Sequence, residues 1–171
     1  MRAVCVLLML WLAGCTGADP PPDDVARVFV QSPSFFDGGA MPAKHTCDGD
    51  DVSPAIFLDF LPEEATHMAF LVEDVDADVT HWLWWDYRPD PGFPEGFDPE
   101  RNGAVAGTHD LGGSAYVGPC PPEGESHRYV FRVFLLDGPL DLPSGSDRAA
   151  FDAALEGRVL GEGALSGRYA R

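Results

Sequence analysis

The sequence predicts a mainly β domain with one helix near its C-terminus, and three observations predict it. The segments His67–Asp74 and His127–Asp137 alternate side chains with the period of two that marks a strand. The chain's 19 glycines and 16 prolines cut it into short segments separated by turns. Only one stretch, Asp147–Leu160, suits a compact helix, with Ser146 as its expected N-cap. A length of 171 residues fits one domain, and 45% apolar residues suffice for a full core.

Val28-Phe29-Val30 reads as a short strand. Residues 33–54, rich in Pro, Gly and Asp, read as an ordered loop, and Ile56–Phe60 as a strand stopped by Pro62. In the strand His67–Asp74, one face carries Met68, Phe70, Val72 and Asp74. The aromatic-rich segment His81–Tyr87 reads as a strand buried on both faces. Residues 88–103 form a Pro/Gly loop, and residues 103–126 show little periodicity. The sequence HRYVFRVFLLD at 127–137 is the strongest strand, and Ala164–Tyr169 reads as a short last one. There is no internal repeat.

The N-terminus is patterned differently. Met1-Arg2 is followed by an apolar run from Ala3 to Ala13, too short to span a bilayer. The run ends in Leu12-Ala13-Gly14-Cys15, which resembles the bacterial lipobox; a plain secretory signal with a chance cysteine is the alternative. The Pro- and Asp-rich stretch after Cys15 cannot bury a core and reads as a tether. The expected organisation is therefore a lipoprotein signal peptide at 1–14, a lipidated tether at 15–27 carrying palmitate-type acyl chains on Cys15, and a domain at 28–171. More than one acyl chain would anchor it stably. No Asp directly follows Cys15, and the general sorting pattern of lipoproteins then points to the outer membrane of a Gram-negative envelope.

A formal charge of −17, spread along the chain, argues against nucleic acid as a partner, since phosphate backbones require Lys and Arg in number. Once Cys5 leaves with the signal peptide and Cys15 is acylated, Cys47 and Cys120 remain. In an oxidising compartment they are expected to form a disulfide; two separate buried thiols are the alternative. No CxxC spacing favours zinc.

Two clusters could carry chemistry. The first is Asp74-Val75-Asp76-Ala77-Asp78 with His81-Trp82 beyond it; the second is Gly118-Pro119-Cys120-Pro121-Pro122 followed by His127-Arg128-Tyr129. Asp74 and Asp76 share a face in extended chain, as do His127 and Tyr129, whose face continues into Phe131, Val133 and Leu135. Polar groups at the mouth of an apolar floor are how small-ligand pockets are built.

In their order, these clusters resemble the phosphatidylethanolamine-binding protein family, including its bacterial Raf kinase inhibitor-like members. That family has a D-P-D-x-P segment before His-Trp, then a Gly-Pro-rich turn before His-Arg-Tyr. SPSFFDGGAMPAKHTCDGDDVSPA and ALSGRYAR resemble its two ends, so the likeness covers roughly residues 28–171. It implies a large antiparallel sheet packed on a smaller one with a C-terminal helix. It also implies an anion pocket lined by Asp74, His81, His127 and Tyr129, with Asp76, Gly118, Pro121 and Pro122 beside them. Imidazole and phenol groups would donate to phosphate oxygens, while Asp74 would orient an imidazole or accept from an ammonium.

The departures are Val75 and Asp78 in place of two prolines, which should loosen that loop, and His109-Asp110-Leu111-Gly112 in place of a stretch beginning with Asn. Tyr87-Arg88-Pro89 stands where Asn-Ile-Pro is usual. The resulting expectation is a lipid-anchored, non-enzymatic protein binding a small anion, phosphoethanolamine or a phospholipid head group, with no cofactor and no metal. One alternative is an interaction protein that inhibits a protease or other partner through its loops. The other is a hydrolase, although Ser114 and Ser126 sit in no nucleophile elbow.

Overall fold

The computed structural model describes residues 25–171. The expected signal peptide, Cys15 and most of the expected tether lie outside the described residues. The strands are β1 (Ala26–Arg27), β2 (Phe29–Gln31), β3 (Gly39–Ala40), β4 (Ile56–Asp59), β5 (His67–Asp74), β6 (Val79–Tyr87), β7 (Gly92–Phe93), β8 (Val105–Ala106), β9 (Ser126–Leu136) and β10 (Val159–Ala170), with a single α-helix, α1 (Arg148–Leu155). Ala26 and Arg27, expected in the tether, form β1.

The large sheet runs β1-β10-β9-β5-β6-β8, with β3 also on β10; the smaller sheet is β2-β4-β7. Long antiparallel pairings of β9 with β5 and β10 form the centre. Alternation sends Met68, Phe70 and Val72 of β5, with Phe131, Val133 and Leu135 of β9, against Val30, Ile56, Leu58 and Phe93 of the smaller sheet. Phe70 meets Phe93 edge-on at 4.9 Å in this layer. The opposite face of the large sheet carries Ala69, Leu71, Leu83, Trp85 and Leu136, covered by Phe151 and Leu155 of α1. Strands β5 and β6 are therefore buried on both faces. Glu73 clamps the helix side, accepting from Arg132 Nε at 2.5 Å and Arg148 Nη1 at 2.9 Å.

The C-terminal elements differ from the sequence reading. The helix ends at Leu155, short of Leu160, and Gly157 beyond it takes a left-handed φ of 71°. The cap is Asp147, whose Oδ1 accepts from the Ala150 N–H at 2.9 Å, while Ser146 Oγ donates to the Pro143 carbonyl. Strand β10 starts at Val159, five residues before Ala164. Its glycines mask the alternation for a physical reason. A Cβ on Gly163 would come within 2.1 Å of the Val28 carbonyl oxygen, so main chain packs where a side chain would stand.

Phe151 is fully buried and meets Trp85 at 5.9 Å and Phe134 at 6.0 Å. Phe151→Ala is expected to destabilise the fold by about 3–5 kcal/mol in denaturant titration. Phe36→Ala, at a ring 80% exposed, should stay within about 0.5 kcal/mol of the parent.

Candidate functional site

The central strands bring the two sequence clusters together. Asp74, at the end of β5, is the cross-strand partner of Tyr129 on β9. His127 lies two residues before Tyr129 and donates from Nδ1 to Asp74 Oδ2 at 2.7 Å; its Nε2 donates to Glu125 Oε2 at 3.1 Å. A carboxylate at each nitrogen favours the charged form of the ring. Hydrogen bonds to Asp74, then to Glu125, raise its pKa above the ordinary histidine value. Burial works against the Asp74 carboxylate, yet hydrogen bonding from His127, the Ala77 amide, the Tyr129 hydroxyl and the Asp76 amide leaves its pKa below the usual value.

His81 is in the opposite state. Its Nδ1 donates to the Val117 carbonyl at 2.8 Å, and burial lowers its pKa. The ring is then neutral near neutral pH, and its Nε2 makes no hydrogen bond to any described residue. A β-bulge puts it there. Val72 pairs with Trp82 and Glu73 with Thr80, so His81 is the extra residue of β6. Strict alternation would send it to the helix side with Leu83. Instead its ring stands edge-on to Tyr129, with centroids 5.3 Å apart.

Tyr129 is fully buried; its hydroxyl makes no hydrogen bond of full geometry, and the polar group beside it is the Asp74 carboxylate. Burial, and then the Asp74 charge, push its pKa well up, so it keeps its proton and remains a donor.

The loop after Asp74 is well tied without its prolines. Asp74 Oδ1 accepts from the Asp76 and Ala77 N–H groups at 3.0 Å, and Asp76 Oδ2 from the Arg128 N–H at 2.6 Å. Asp78 has φ 56°, which a proline ring locked near −65° cannot adopt. Side-chain hydrogen bonds therefore take over the work of the two rings.

The Gly-Pro turn is fastened to residues 45–51. Gly118 N–H donates to Asp51 Oδ1 at 2.7 Å, and a Cβ there would lie 2.3 Å from the His45 carbonyl oxygen. Tyr116 donates to that same carbonyl at 2.9 Å. The expected disulfide is present: Cys47 and Cys120 are bonded, with Cα atoms 5.5 Å apart across a sequence separation of 73. In the chain-entropy account, closing such a loop contributes on the order of 4 kcal/mol. Pro121 is buried and Pro122 exposed, and the Glu125 N–H to Pro122 carbonyl bond closes the turn into β9. His109 is buried with its Nδ1 unpaired, and burial lowers its pKa. Its neighbour Asp110 is joined to Thr80 by two hydrogen bonds, which fastens this loop beside His81.

Glu125, Asp51 and Val117 were not singled out in the sequence. Glu125 could have been, since it lies two residues before His127 and shares its face. Asp51 and the Val117 carbonyl leave no local signal. Among the described residues no group of three or more His, Cys, Asp or Glu side chains could hold a metal ion.

Two open concavities lie elsewhere. One of about 750 Å³ runs along Val25–Val30 and β10, and one of about 220 Å³ lies by Phe97 and Tyr116. The larger is lined by Arg27, Asp37, Arg132 and Glu162, of which Arg132 donates to Glu73 and Asp37 accepts from Ser166, so charges of both signs stand along it. The cluster around Tyr129 is the better candidate because two histidines, Asp74 and a buried tyrosine hydroxyl from distant segments converge there.

A two-sheet sandwich whose aspartate and histidines converge on a buried tyrosine defines a class, and comparison with known proteins agrees. The family described as phosphatidylethanolamine-binding protein matches residues 31–170, and the chain belongs to it. Among curated relatives, a UPF0098 protein of Methanothermobacter thermautotrophicus is 40% identical over 149 residues, covering 83% of this chain and 98% of its own length. Another, from Aquifex aeolicus, is 36% identical over 152 residues, covering 83% and 88%. Among solved structures, a phosphatidylethanolamine-binding protein homologue from Chlamydia trachomatis superposes with TM-score 0.76 at 28% identity, covering 87% of this chain and 99% of that one. YbcL of E. coli shares the fold with TM-score 0.77 at 23% identity, covering 85% and 99%.

The two pocket histidines should titrate on opposite sides of the ordinary value near 6.5. In an NMR pH titration His127 should titrate above it and His81 below it. Asp74→Asn should bring His127 down while leaving the loop hydrogen bonds an oxygen to accept them. The sign for stability follows. The contribution of His127 is complete below its unfolded pKa and is lost as pH rises through its folded one; that of His81 is lost as pH falls below about 6.5. A His127 value at or below that of His81 would contradict this charge assignment.

Proposed function

We propose that the chain is a lipid-anchored, non-enzymatic binding protein for a small anionic or phosphorylated ligand such as phosphate, phosphoethanolamine or a phospholipid head group. The observation that carries this reading is the Tyr129 hydroxyl, a buried donor that makes no hydrogen bond of full geometry, facing the His81 ring beside Asp74. An unpaired buried hydroxyl destabilises a fold, and a phosphate oxygen would satisfy it. His127, already cationic, lends positive charge and neutralises Asp74. Asp76 and Glu125, both exposed, suit an ammonium such as that of ethanolamine. Binding is favoured over hydrolysis because the cluster holds no serine or cysteine beside an imidazole, and the raised pKa of Tyr129 keeps its hydroxyl protonated. The one described serine bonded to an imidazole, Ser34 on His45, has a carbonyl of Val52 behind the ring where a carboxylate would orient it.

Affinity for phosphate and phosphoethanolamine should rise as pH falls, and His81 should supply the dependence, because its Nε2 donates only once protonated. By linkage, a bound anion raises the His81 pKa. Calorimetric titration from acid to neutral pH should show the rise, and His81→Ala should abolish it. Tyr129→Phe should weaken binding about tenfold or more while leaving stability unchanged or up to about 1 kcal/mol higher. Affinity that is flat with pH and indifferent to both substitutions would place the ligand elsewhere.

The anchor is tested separately. Expressed in a Gram-negative host, the protein should fractionate with membranes, and Cys15→Ser should leave it soluble or unprocessed. Full solubility of the unsubstituted protein after lysis would refute acylation.

A further inference from the structure

The outer face of the smaller sheet is apolar where alternation calls for polar side chains. Phe29, Phe57 and Phe60 are 52%, 56% and 76% exposed. Phe29 and Phe57 point outward from β2 and β4, opposite Asp59 and Gln31 across the ladder. Phe60 follows β4 with φ 65°, a left-handed conformation that bulky residues rarely take. Its ring lies 5.4 Å from that of Phe29. Contiguous exposed rings on one face mark an interaction surface.

The chain's own path indicates what this surface meets. Phe29 lies three residues beyond the start of β1, the first described strand, so the patch sits where the N-terminal segment joins the domain. Residues 15–25 can span at most about 40 Å, which would keep the patch within reach of any bilayer holding Cys15. Strand β1 pairs in parallel with Gly161 and Glu162 of β10, whereas His127 pairs with Tyr169. Those positions on β10 are about 23 Å apart at the usual rise of a strand. The chain thus enters at the end of the sheet remote from the ligand site. Charge selects the kind of surface. Asp59, Glu63 and Glu64 are exposed around the patch against Arg27, so anionic lipid would be repelled and zwitterionic lipid tolerated.

We infer that the Phe29, Phe57 and Phe60 face docks the domain on a zwitterionic lipid surface, with the Tyr129 site turned away from the membrane that holds the anchor. This rests on the lipid anchor proposed above.

The test uses full-length protein, acylated in its host, with Phe60→Trp, reconstituted into phosphatidylcholine vesicles with and without brominated acyl chains. The native indoles of Trp82, Trp84 and Trp85 are buried and supply the background. The added indole should be quenched at least about twofold by brominated lipid. Adding Phe29→Ser and Phe57→Ser should remove that quenching without changing the thermal transition, and phosphatidylglycerol should not increase it. Protein that pellets with vesicles but shows no quenching retains the anchor and overturns the docking. Protein that does not pellet overturns both. Absent quenching with concentration-dependent dimers would assign the patch to a second copy and overturn the lipid assignment.

Discussion

The register between β5 and β9 is the constraint on which the rest depends. Asp74 faces Tyr129, and every earlier pairing follows from that one, back to His67 facing Leu136. A slip of one residue would exchange the faces of β9. Phe131, Val133 and Leu135 would leave the inter-sheet core, and Tyr129 would turn away from His81. Because the same register builds the core, a packed interior also positions Asp74 beside Tyr129 and His127. The large sheet needs no separate device to bring Asp74 beside His127.

Within that frame, two histidines of one pocket are driven to opposite charge states by their partners alone. His127 lies between two carboxylates and becomes a cation; His81 lies between a carbonyl and a tyrosine ring and stays neutral. The distinction reconciles an anion site with a chain of net charge −17. Distant carboxylates are screened over about 8 Å at physiological salt, while groups in contact are not. Asp74 is the acid that would otherwise repel an anion at short range, and His127 neutralises it directly. The local balance at Tyr129 is therefore far less negative than the surface.

Most of the β architecture was legible because alternation and turn residues act locally. β5, β6 and β9 stand within two residues of their expected bounds, since their long apolar faces leave one reading. Strand β10 was legible only in its second half. Gly161 and Gly163 replace the side chains that would show a period, and they do so to admit Val28, 133 and more residues away in sequence. The two-residue strands β1, β3, β7 and β8 exist through their partners and have no pattern of their own. That Asp74, His81, His127 and Tyr129 come together was legible from motif order. Asp51 and the Val117 carbonyl were not, because each acts across the fold through a single hydrogen bond.

The position of His81 shows what periodicity omits. Its neighbours Trp82 and Trp84 face the inter-sheet core, and Leu83 and Trp85 face the helix. By counting alone, His81 belongs with Leu83 on the helix side, where an imidazole would be an isolated polar group among apolar ones. One inserted residue in the ladder turns it to the face of Tyr129, where a carbonyl fixes one ring nitrogen and leaves the other free. The ladder gives up one regular pair there, and the bulge bends β6 at the point where the loop from Asp74 closes. The tyrosine hydroxyl on that face stands beside Asp74 without a hydrogen bond of full geometry. Two local departures from regular packing, a bulge and a hydroxyl without a hydrogen bond of full geometry, therefore meet at one point beside Asp74 and His127.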